Sequence, residues 1–255
     1  KQNLWKIMTS NNFDTPWFYE EIIDINNENK FEFNKDNLHH CKKVLRINKN
    51  SKILIFDGYG NSKTANISFN GKEVVFNNIK LSKTKKQRFN FSIVQSLCEI
   101  NKLELIIQKV TELGCEKLFL TNSSHSKKFD FEFLEKKLSR WKKIMASACA
   151  QSKNPFLPKI IFGSQNEICE KYQKNIEFKL ICLNPHTQKI EFSNIHKYKE
   201  KNIIIFIGPE GGYSDEEIKL FEKCNIEKIN INKYILRTET ASIVGAFLAQ
   251  ILCNN

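Results

Sequence analysis

Two short segments of this chain combine glycine, proline and charged residues in a way that suits the binding of a small molecule. The first reads Ile-Gly-Pro-Glu-Gly-Gly (207–212), and the second reads Ile-Leu-Arg-Thr-Glu-Thr-Ala (235–241). Glycines lack a Cβ atom, so backbone N–H groups can approach a ligand closely. The arginine keeps its charge at physiological pH, and the carboxylates can accept a proton. The two segments therefore predict a binding site that can stabilise a negative charge and accept a proton.

Each segment follows an apolar run that has the pattern of a buried strand. Residues 203–207 lead directly into the first segment, and residues 226–231 lead into the second through a short loop, 232–237. Ser214-Asp-Glu-Glu217 has the capping-box pattern that opens a helix, and another helix is expected from Thr238. Because both segments lie where a strand passes into a helix, we expect them to form two walls of one cofactor site.

The chain from residue 89 onward alternates predicted strands with predicted helices. Strands are expected at 89–97, 116–120, 159–162, 178–183, 203–207 and 226–231. Between them, Asn101 to Glu104 resembles a capping box, Gly114 is expected to end that helix, residues 131–151 predict one long helix, and Ser164 is expected to cap the next. This alternation predicts an α/β fold with a largely parallel sheet and helices on both faces.

Residues 1–80 predict a small, mostly β domain. A strand is expected at 51–57, a hairpin turn at Asn70-Gly71, and a short helix at 36–46 with Asp36 as its cap. Residues 81–88 are basic and contain no acid, which indicates a linker. The predicted organisation is a β-rich domain at 1–80, a linker at 81–88 and a second domain at 89–255.

Composition restricts the class of partner and the compartment. The chain has 255 residues with a formal net charge of +12, which favours nucleic acid as partner, ahead of an anionic membrane surface. Eight scattered cysteines form no C-x-x-C pair, so no metal site is predicted and a reducing compartment is favoured. Residues 1–10 lack a signal-peptide apolar stretch, and no apolar run reaches membrane-spanning length. We therefore expect a cytoplasmic protein without a membrane partner.

Four motifs occur along the chain in an order typical of one family. They are His39-His40 with Val44-Leu45-Arg46 and Phe56-Asp57-Gly58; Ile107-Gln108-Lys109 with Thr111-Glu112-Leu113-Gly114; Arg140-Trp141 with Ala148, Gln151-Ser152 and Pro158; and the segments 207–212 and 235–241. In these motifs the chain resembles the RsmE-type ribosomal RNA small-subunit methyltransferases of the SPOUT class. The resemblance covers nearly the whole chain.

The resemblance implies a fold, a reaction and an assembly. The fold would be a PUA-like N-terminal domain followed by a SPOUT domain with a trefoil knot, and the assembly would be a homodimer. The reaction would transfer a methyl group from S-adenosyl-L-methionine to N3 of a uridine in small-subunit (16S) ribosomal RNA. The family usually has Leu-Gly where Ile231-Asn232 stands here. Asparagine is the non-glycine residue best suited to left-handed backbone, so Asn232 is expected to preserve that loop.

The resemblance and the residue types together assign the candidate site. Arg237 would stabilise the uridine anion and orient the uridine, while Glu239 and Glu210 could each take its proton or orient Arg237, and the division of these roles is left open. The predicted cofactor-binding residues are Leu183, Asn184, Pro185, Ile207, Gly208, Pro209, Gly211, Gly212, Ile231, Asn232, Ile235, Leu236, Arg237, Thr240 and Ala241. The predicted RNA-binding residues are Lys42, Lys43, Arg46, Lys83, Lys85, Lys86 and Arg88.

Two other functions remain open from the sequence. One is a SPOUT methyltransferase that acts on a ribose 2′-oxygen or on another RNA. The other is a non-catalytic RNA-binding protein, which predicts steeply salt-dependent RNA binding that does not depend on Arg237. The last helix adds an ambiguity of its own, because Ala241, Gly245 and Ala249 lie four residues apart and suit either close packing within the chain or a dimer interface.

Overall fold

The structure, a computed structural model, describes residues 15–25, 27, 33–44, 51–70, 73–187 and 198–254. The chain divides into two compact units. The first contains the described residues up to Lys86 together with Ala146–Leu157, and the second contains Gln87–Met145 and the described residues from Pro158 onward. The domain boundary predicted at 81–88 stays a prediction.

The first unit is built on a four-stranded sheet. Its strands are β1 (Trp17–Tyr19), β2 (Ser51–Phe56), β3 (Asn61–Asn70) and β4 (Glu73–Lys83), and they are hydrogen-bonded in this order. Strand β1 is parallel to β2, whereas β2, β3 and β4 are antiparallel. Asn70 pairs with Glu73, as expected for the predicted hairpin. Strand β4 extends to Lys83, so the first residues of the predicted linker belong to the sheet.

The helix of the first unit differs from the prediction. Helix α1 (Lys35–His39) is followed by a π-helical segment, His40–Val44. Asn34 caps α1, because its side chain accepts a hydrogen bond from the Asn37 backbone N–H at 2.7 Å. The expectation that Asp36 is the cap is therefore wrong, and the last two residues of the predicted helix lie outside the described part of the chain.

The second unit is an α/β domain with a six-stranded sheet. Its strands are β5 (Phe91–Ser96), β6 (Lys117–Thr121), β7 (Lys159–Gly163), β8 (Phe178–Leu183), β9 (Asn202–Ile207) and β10 (Glu227–Ile229). Its helices are α2 (Ile100–Glu112), α3 (Phe131–Glu135), α4 (Leu138–Ser152), α5 (Gln165–Tyr172), α6 (Asp215–Lys223) and α7 (Thr238–Asn254), and the end of α4 is grouped with the first unit.

All pairs in this sheet are parallel, and the strand order is β10-β8-β9-β5-β6-β7. Alternate residues of β9 point to opposite faces. Ile204 and Phe206 belong to a buried cluster with residues of α5 and α6, whereas Ile205 and Ile207 contact Gly245 of α7. The predicted parallel sheet with helices on both faces is confirmed. The trefoil knot stays a prediction.

Two helix predictions in this unit are wrong. Helix α2 starts at Ile100 with Glu99 as its N-cap, which forms no side-chain capping bond. Glu104 does not close the predicted capping box, since it pairs with Arg140 through two hydrogen bonds of 2.6 and 2.7 Å. The long helix predicted over 131–151 is two helices, α3 and α4, separated by Lys136 and Lys137.

Other local predictions agree with the structure. Ser164 and Ser214 both form complete capping boxes, with Glu167 and Glu217 respectively. Gly114 follows the end of α2 with φ of 86°, the left-handed conformation expected of a glycine there. Strand β10 is shorter than the predicted 226–231. Within the described ranges, the structure contains no helix that is long and apolar enough to span a bilayer.

Candidate functional site

A cavity of about 410 Å³ lies at the carboxyl ends of β8, β9 and β10. It is lined by the segment after β8 (184–186), by residues of the glycine loop (208–214), and by residues of the arginine loop (230–237). Because β8 stands between β10 and β9, the three loops meet at one edge of the sheet. This edge is where open α/β sheets bind ligands, and small-molecule sites typically occupy about 300–1,000 Å³.

Most of the predicted cofactor-binding residues line this cavity. Those that do are Leu183, Asn184, Pro185, Ile207, Gly208, Pro209, Gly211, Gly212, Ile231, Asn232, Ile235, Leu236 and Ala241, together with the predicted catalytic residue Glu210. Arg237, Glu239 and Thr240 do not form part of the lining, although Leu236 and Ala241 on either side of them do. The structure therefore brings the two predicted loops together around one space.

The glycine loop is closely packed on two sides. A Cβ atom on Gly208 would lie 3.1 Å from the ring of Tyr213, and one on Gly211 would lie 2.9 Å from the Cβ atom of His125. Gly212 has φ of 73° and open space around it, so its requirement is for backbone conformation rather than for room. The glycines thus allow the loop backbone to approach its neighbours and the cavity.

The end of the glycine loop is fixed by the start of α6. Ser214 caps the helix, and its backbone N–H donates a hydrogen bond of 2.8 Å to the Glu217 carboxylate. Glu217 also accepts a hydrogen bond of 2.7 Å from the hydroxyl of Ser123, in the segment after β6. The capping box therefore joins the glycine loop to a second part of the sheet edge.

Asparagine side chains shape the other two loops. Asn230 donates to the carbonyl of Pro185 at 3.0 Å and accepts from the backbone N–H of Asn232 at 2.9 Å. Asn184 accepts from the backbone N–H of His186 at 2.8 Å. Asn230 therefore connects the segment after β8 with the arginine loop, a role that the sequence analysis missed. Asn230 stands inside the strand predicted at 226–231, and only the structure, in which β10 ends at Ile229, shows that it belongs to the loop.

Asn232 does not adopt the left-handed backbone conformation that the sequence resemblance implies. Among the described residues, left-handed non-glycine backbone occurs at Asn78, Lys153, Glu200 and Asn225, and Asn232 is not one of them. Its side chain instead donates to the carbonyl of Tyr234 at 3.1 Å. The loop is thus stabilised by a side-chain hydrogen bond where a glycine would offer only conformational freedom.

Arg237 stands at the end of the arginine loop and immediately before α7. Its side chain is exposed, and its carbonyl accepts the backbone N–H of Ala241 at 2.8 Å in the first turn of the helix. Tyr234 and Ile235 of the same loop are 70% and 77% exposed. The loop therefore presents two basic side chains, Arg237 and Lys233, and the large side chains of Tyr234 and Ile235 to its surroundings.

The two candidate carboxylates have different environments. Glu210 forms an ion pair with Lys102 of α2, and this hydrogen bond lowers the pKa of the Glu210 carboxyl. One oxygen of Glu239, Oε2, is buried and has no hydrogen-bond partner among the described residues. Burial raises the pKa of the nearby Cys98 thiol to about 12, so this thiol is protonated at neutral pH. Cys98 therefore offers no thiolate beside the two carboxylates at neutral pH.

One of the small residues of α7, Gly245, packs within the chain, while a dimer interface on this helix stays a prediction. A Cβ atom on Gly245 would lie 3.0 Å from Leu183 and 3.1 Å from Ile207. Glycine at this position lets α7 approach the ends of β8 and β9, next to the cavity. Val244 and Phe247 of the same helix are partly exposed, at 37% and 53%.

The predicted RNA-binding residues are exposed wherever they are described. Lys42 and Lys43 lie in the π-helical segment, and the Lys42 ammonium is 5.1 Å from the ring centroid of Phe69. The others that are described are Lys83, Lys85, Lys86 and Arg88, all with exposed side chains. Arg46 lies outside the described residues. Their role in RNA binding stays a prediction.

Comparison with known proteins identifies the family. A family model described as an RNA methyltransferase domain matches residues 85–250. A second model, described as an RNA methyltransferase PUA domain, matches residues 33–76. The chain therefore belongs to the RNA methyltransferase family that these models describe.

Individual relatives agree with this family. The ribosomal RNA small subunit methyltransferase E of Mesomycoplasma hyopneumoniae is 30% identical, over 88% of this chain and 96% of the relative. The protein of the same name from Buchnera aphidicola subsp. Acyrthosiphon pisum is 30% identical, over 92% of both chains. The crystal structure of this methyltransferase from Neisseria gonorrhoeae bound to S-adenosyl methionine matches with a TM-score of 0.79, 24% identity, and coverage of 94% and 98%. The predicted RsmE-type resemblance and the predicted fold class are confirmed.

Proposed function

We propose that this protein transfers the methyl group of S-adenosyl-L-methionine to N3 of a uridine in small-subunit ribosomal RNA. The observation that carries the proposal is the single cavity at which the glycine loop and the arginine loop meet, in a chain of the RNA methyltransferase family. The relatives named above are small-subunit methyltransferases, which supports the substrate class.

The cavity suits a ligand that is part apolar and part polar. Its walls include Ile207, Ile231 and Leu236, which can contact an adenine ring, while the backbone of the glycine loop offers polar groups. The S-adenosyl-L-methionine would supply an electrophilic methyl group. The protein residues would hold this ligand, exclude water from its face and orient the uridine.

The uridine must lose its N3 proton to become a good nucleophile. Arg237 is permanently charged and would stabilise the uridine anion through a carbonyl oxygen of the base. Glu210 is a weak proton acceptor here, because its hydrogen bond with Lys102 lowers its pKa. Glu239, with one oxygen free of hydrogen bonds in the described structure, is therefore our candidate for the base. Substitution of each glutamate by glutamine, followed by a pH–rate profile, distinguishes the two.

The N-terminal unit would bind the RNA while the second unit performs the reaction. Its exposed lysines, together with the net charge of +12, suit contacts with phosphates. The target base would be turned out of any pairing, since N3 is hidden in a base pair.

Such a protein would work in the cytoplasm as a homodimer, and exposed Tyr234, Ile235 and Phe247 provide apolar surface for a second copy. Sedimentation across a wide concentration range tests the dimer.

The test uses labelled S-adenosyl-L-methionine and small ribosomal subunits that lack the modification. We expect one N3-methyluridine by mass spectrometry, which the Arg237→Ala variant does not produce. Lys223→Ala removes an exposed cation from the last turn of α6 and serves as the control that keeps activity. A methyl group on a ribose 2′-oxygen, or RNA binding without any transfer, would contradict the proposal and favour one of the two alternative functions.

A further inference from the structure

A group of buried polar side chains lies at the end of β5, directly behind the glycine loop and the arginine loop. Gln95 is completely buried and pairs in the sheet with Ile207, the residue before the glycine loop. Ser96 and Ser242 are also completely buried, and Thr238 is 3% exposed. Buried amides and hydroxyls destabilise a protein unless they form hydrogen bonds, so the arrangement of these bonds is specific.

The Gln95 amide contacts two elements at once. Its nitrogen donates to the carbonyl of Ser96 at 2.8 Å and to the hydroxyl of Thr238 at 3.0 Å. Its oxygen lies against the hydroxyl of Ser242, one turn further along α7, and the single proton of that hydroxyl is shared between Gln95 and the Thr238 carbonyl at 2.7 Å. Since a carbonyl can only accept, the Ser96 contact fixes which end of the amide is the nitrogen.

Thr238 passes this contact on to the glycine loop. Its hydroxyl donates to the carbonyl of Gly208 at 2.8 Å. A hydroxyl has one proton, so Thr238 donates it in the hydrogen bond to Gly208 and accepts a hydrogen bond from the Gln95 amide N–H. Thr238 also stands between Arg237 and Glu239 in the chain. One continuous path of hydrogen bonds therefore runs from the centre of the sheet to the glycine loop and to the start of α7.

We propose that Gln95 is a positioning residue for methyl transfer. Through Thr238 it fixes the glycine loop, which would hold the methyl donor, relative to Arg237 and Glu239, which would hold the uridine. This inference rests on the proposed function, because the Gln95 amide would set the distance between the methyl donor and the uridine that accepts the methyl group. A misplacement of about 1 Å between reacting groups can lower a rate about 100-fold, so the effect of losing this bond is measurable.

The test compares variants that differ in a single hydrogen bond. Gln95→Leu removes the amide, and Thr238→Val removes the hydroxyl at nearly constant shape, while Thr238→Ser keeps it. The matched control is Gln165→Leu, which removes another buried amide. Gln165 donates to the Ser96 hydroxyl at 3.3 Å, and in the described structure it forms no hydrogen bond with the glycine loop or the arginine loop.

We expect Gln95→Leu and Thr238→Val to lower kcat for methyl transfer by about 10- to 100-fold and to weaken S-adenosyl-L-methionine binding. Thr238→Ser and Gln165→Leu should keep both values within about twofold of wild type. Thermal melts of all four variants measure the accompanying loss of stability. If Gln165→Leu lowered kcat as much as Gln95→Leu at an equal loss of stability, the positioning role would be excluded.

A second measurement separates this inference from the proposed function. Amide hydrogen exchange of the ligand-free protein, read by mass spectrometry, needs no reaction. We expect faster exchange across residues 208–214 and at the start of α7 in Gln95→Leu, and unchanged exchange there in Gln165→Leu. Unchanged exchange in Gln95→Leu would overturn the positioning role. If exchange were faster in Gln95→Leu but the wild-type protein transferred no methyl group to any RNA, the structural role of Gln95 would be supported and the proposed reaction would be rejected.

Discussion

The glycine loop and the arginine loop line the same cavity but are held by different kinds of contact. Distant parts of the second unit reach the glycine loop, since His125 lies against Gly211 and the Thr238 hydroxyl bonds Gly208. The arginine loop is shaped mainly by nearby amides, those of Asn230 and Asn232. One wall is therefore fixed by tertiary contacts, and the other is fixed mostly by its own asparagine side chains, of which Asn230 also reaches the Pro185 carbonyl after β8.

Exposure follows the same division. Tyr213 of the glycine loop packs edge-on against the buried ring of Phe221, with 4.8 Å between ring centroids. Tyr234 and Ile235 of the arginine loop are 70% and 77% exposed. A wall that must hold a small molecule gains from rigidity, whereas a wall that presents apolar groups outward suits contact with a larger partner. Four substitutions can break or sharpen this comparison.

The largest effect should come from Gly211→Ala. The new Cβ atom would lie 2.9 Å from the Cβ atom of His125, so either the loop or the segment after β6 has to shift. Because the loop backbone lines the cavity, we expect kcat/KM for methyl transfer to fall about 100-fold, with weaker S-adenosyl-L-methionine binding by calorimetry. His125→Gly in the same chain removes the clash and should restore part of the loss. A double variant no better than Gly211→Ala would show that crowding is not the cause.

Gly212→Ala should act through backbone conformation alone. Gly212 has φ of 73°, and no atom lies within 4 Å of the added Cβ position. Placing an L-residue in left-handed backbone costs roughly 1–2 kcal/mol, which urea unfolding can measure. Gly212→Asn should lose less than Gly212→Ala, because asparagine tolerates this conformation better. Equal losses for the two variants would mean that a contact and not the φ angle is responsible.

The sequence predicts those parts of this site that depend on local chemistry. Both capping boxes, at Ser164 and Ser214, follow from side chains three residues apart. The buried strand β9 follows from a run of apolar residues, and strand-to-helix loops of a parallel sheet meet at its carboxyl edge. Most of the residues that line the cavity were predicted, and those that were missed are His186, Tyr213, Asp215, Ile218, Ile229, Asn230, Tyr234 and Thr238.

The failures come from contacts between residues far apart in the chain. Gln95 and Thr238 are separated by 143 positions, and no spacing in the sequence links them. Glu104 was assigned to a capping box because its local pattern fits, but Arg140 binds it instead. The break between α3 and α4 carries no proline or glycine, so helical periodicity alone extended one helix through Lys136 and Lys137.

Asn230→Ala tests whether side-chain amides hold the arginine loop. The change removes the bond to the Pro185 carbonyl and the acceptor for the Asn232 N–H. The site is partly exposed, so we expect about 1 kcal/mol of lost stability, together with weaker S-adenosyl-L-methionine binding. Asn230→Asp keeps the acceptor and loses only the donor, and it should lie between wild type and Asn230→Ala. No change in either variant would show that the loop is held by other contacts.

The smallest effect on stability should come from Ile235→Ser, and it tests the exposed side of the comparison most directly. At 77% exposure this side chain has little contact to lose, so the unfolding free energy at low protein concentration should change by less than about 0.5 kcal/mol. Ile229→Ser is the matched control, because the same substitution six residues earlier alters a side chain that is 4% exposed, and it should cost about 3 kcal/mol. If Ile235→Ser cost as much as Ile229→Ser, the arginine loop would be packed as firmly as the glycine loop and the two walls would not differ. If instead stability is unchanged while RNA methylation or sedimentation as a dimer is lost, the exposed wall is the one that meets a partner.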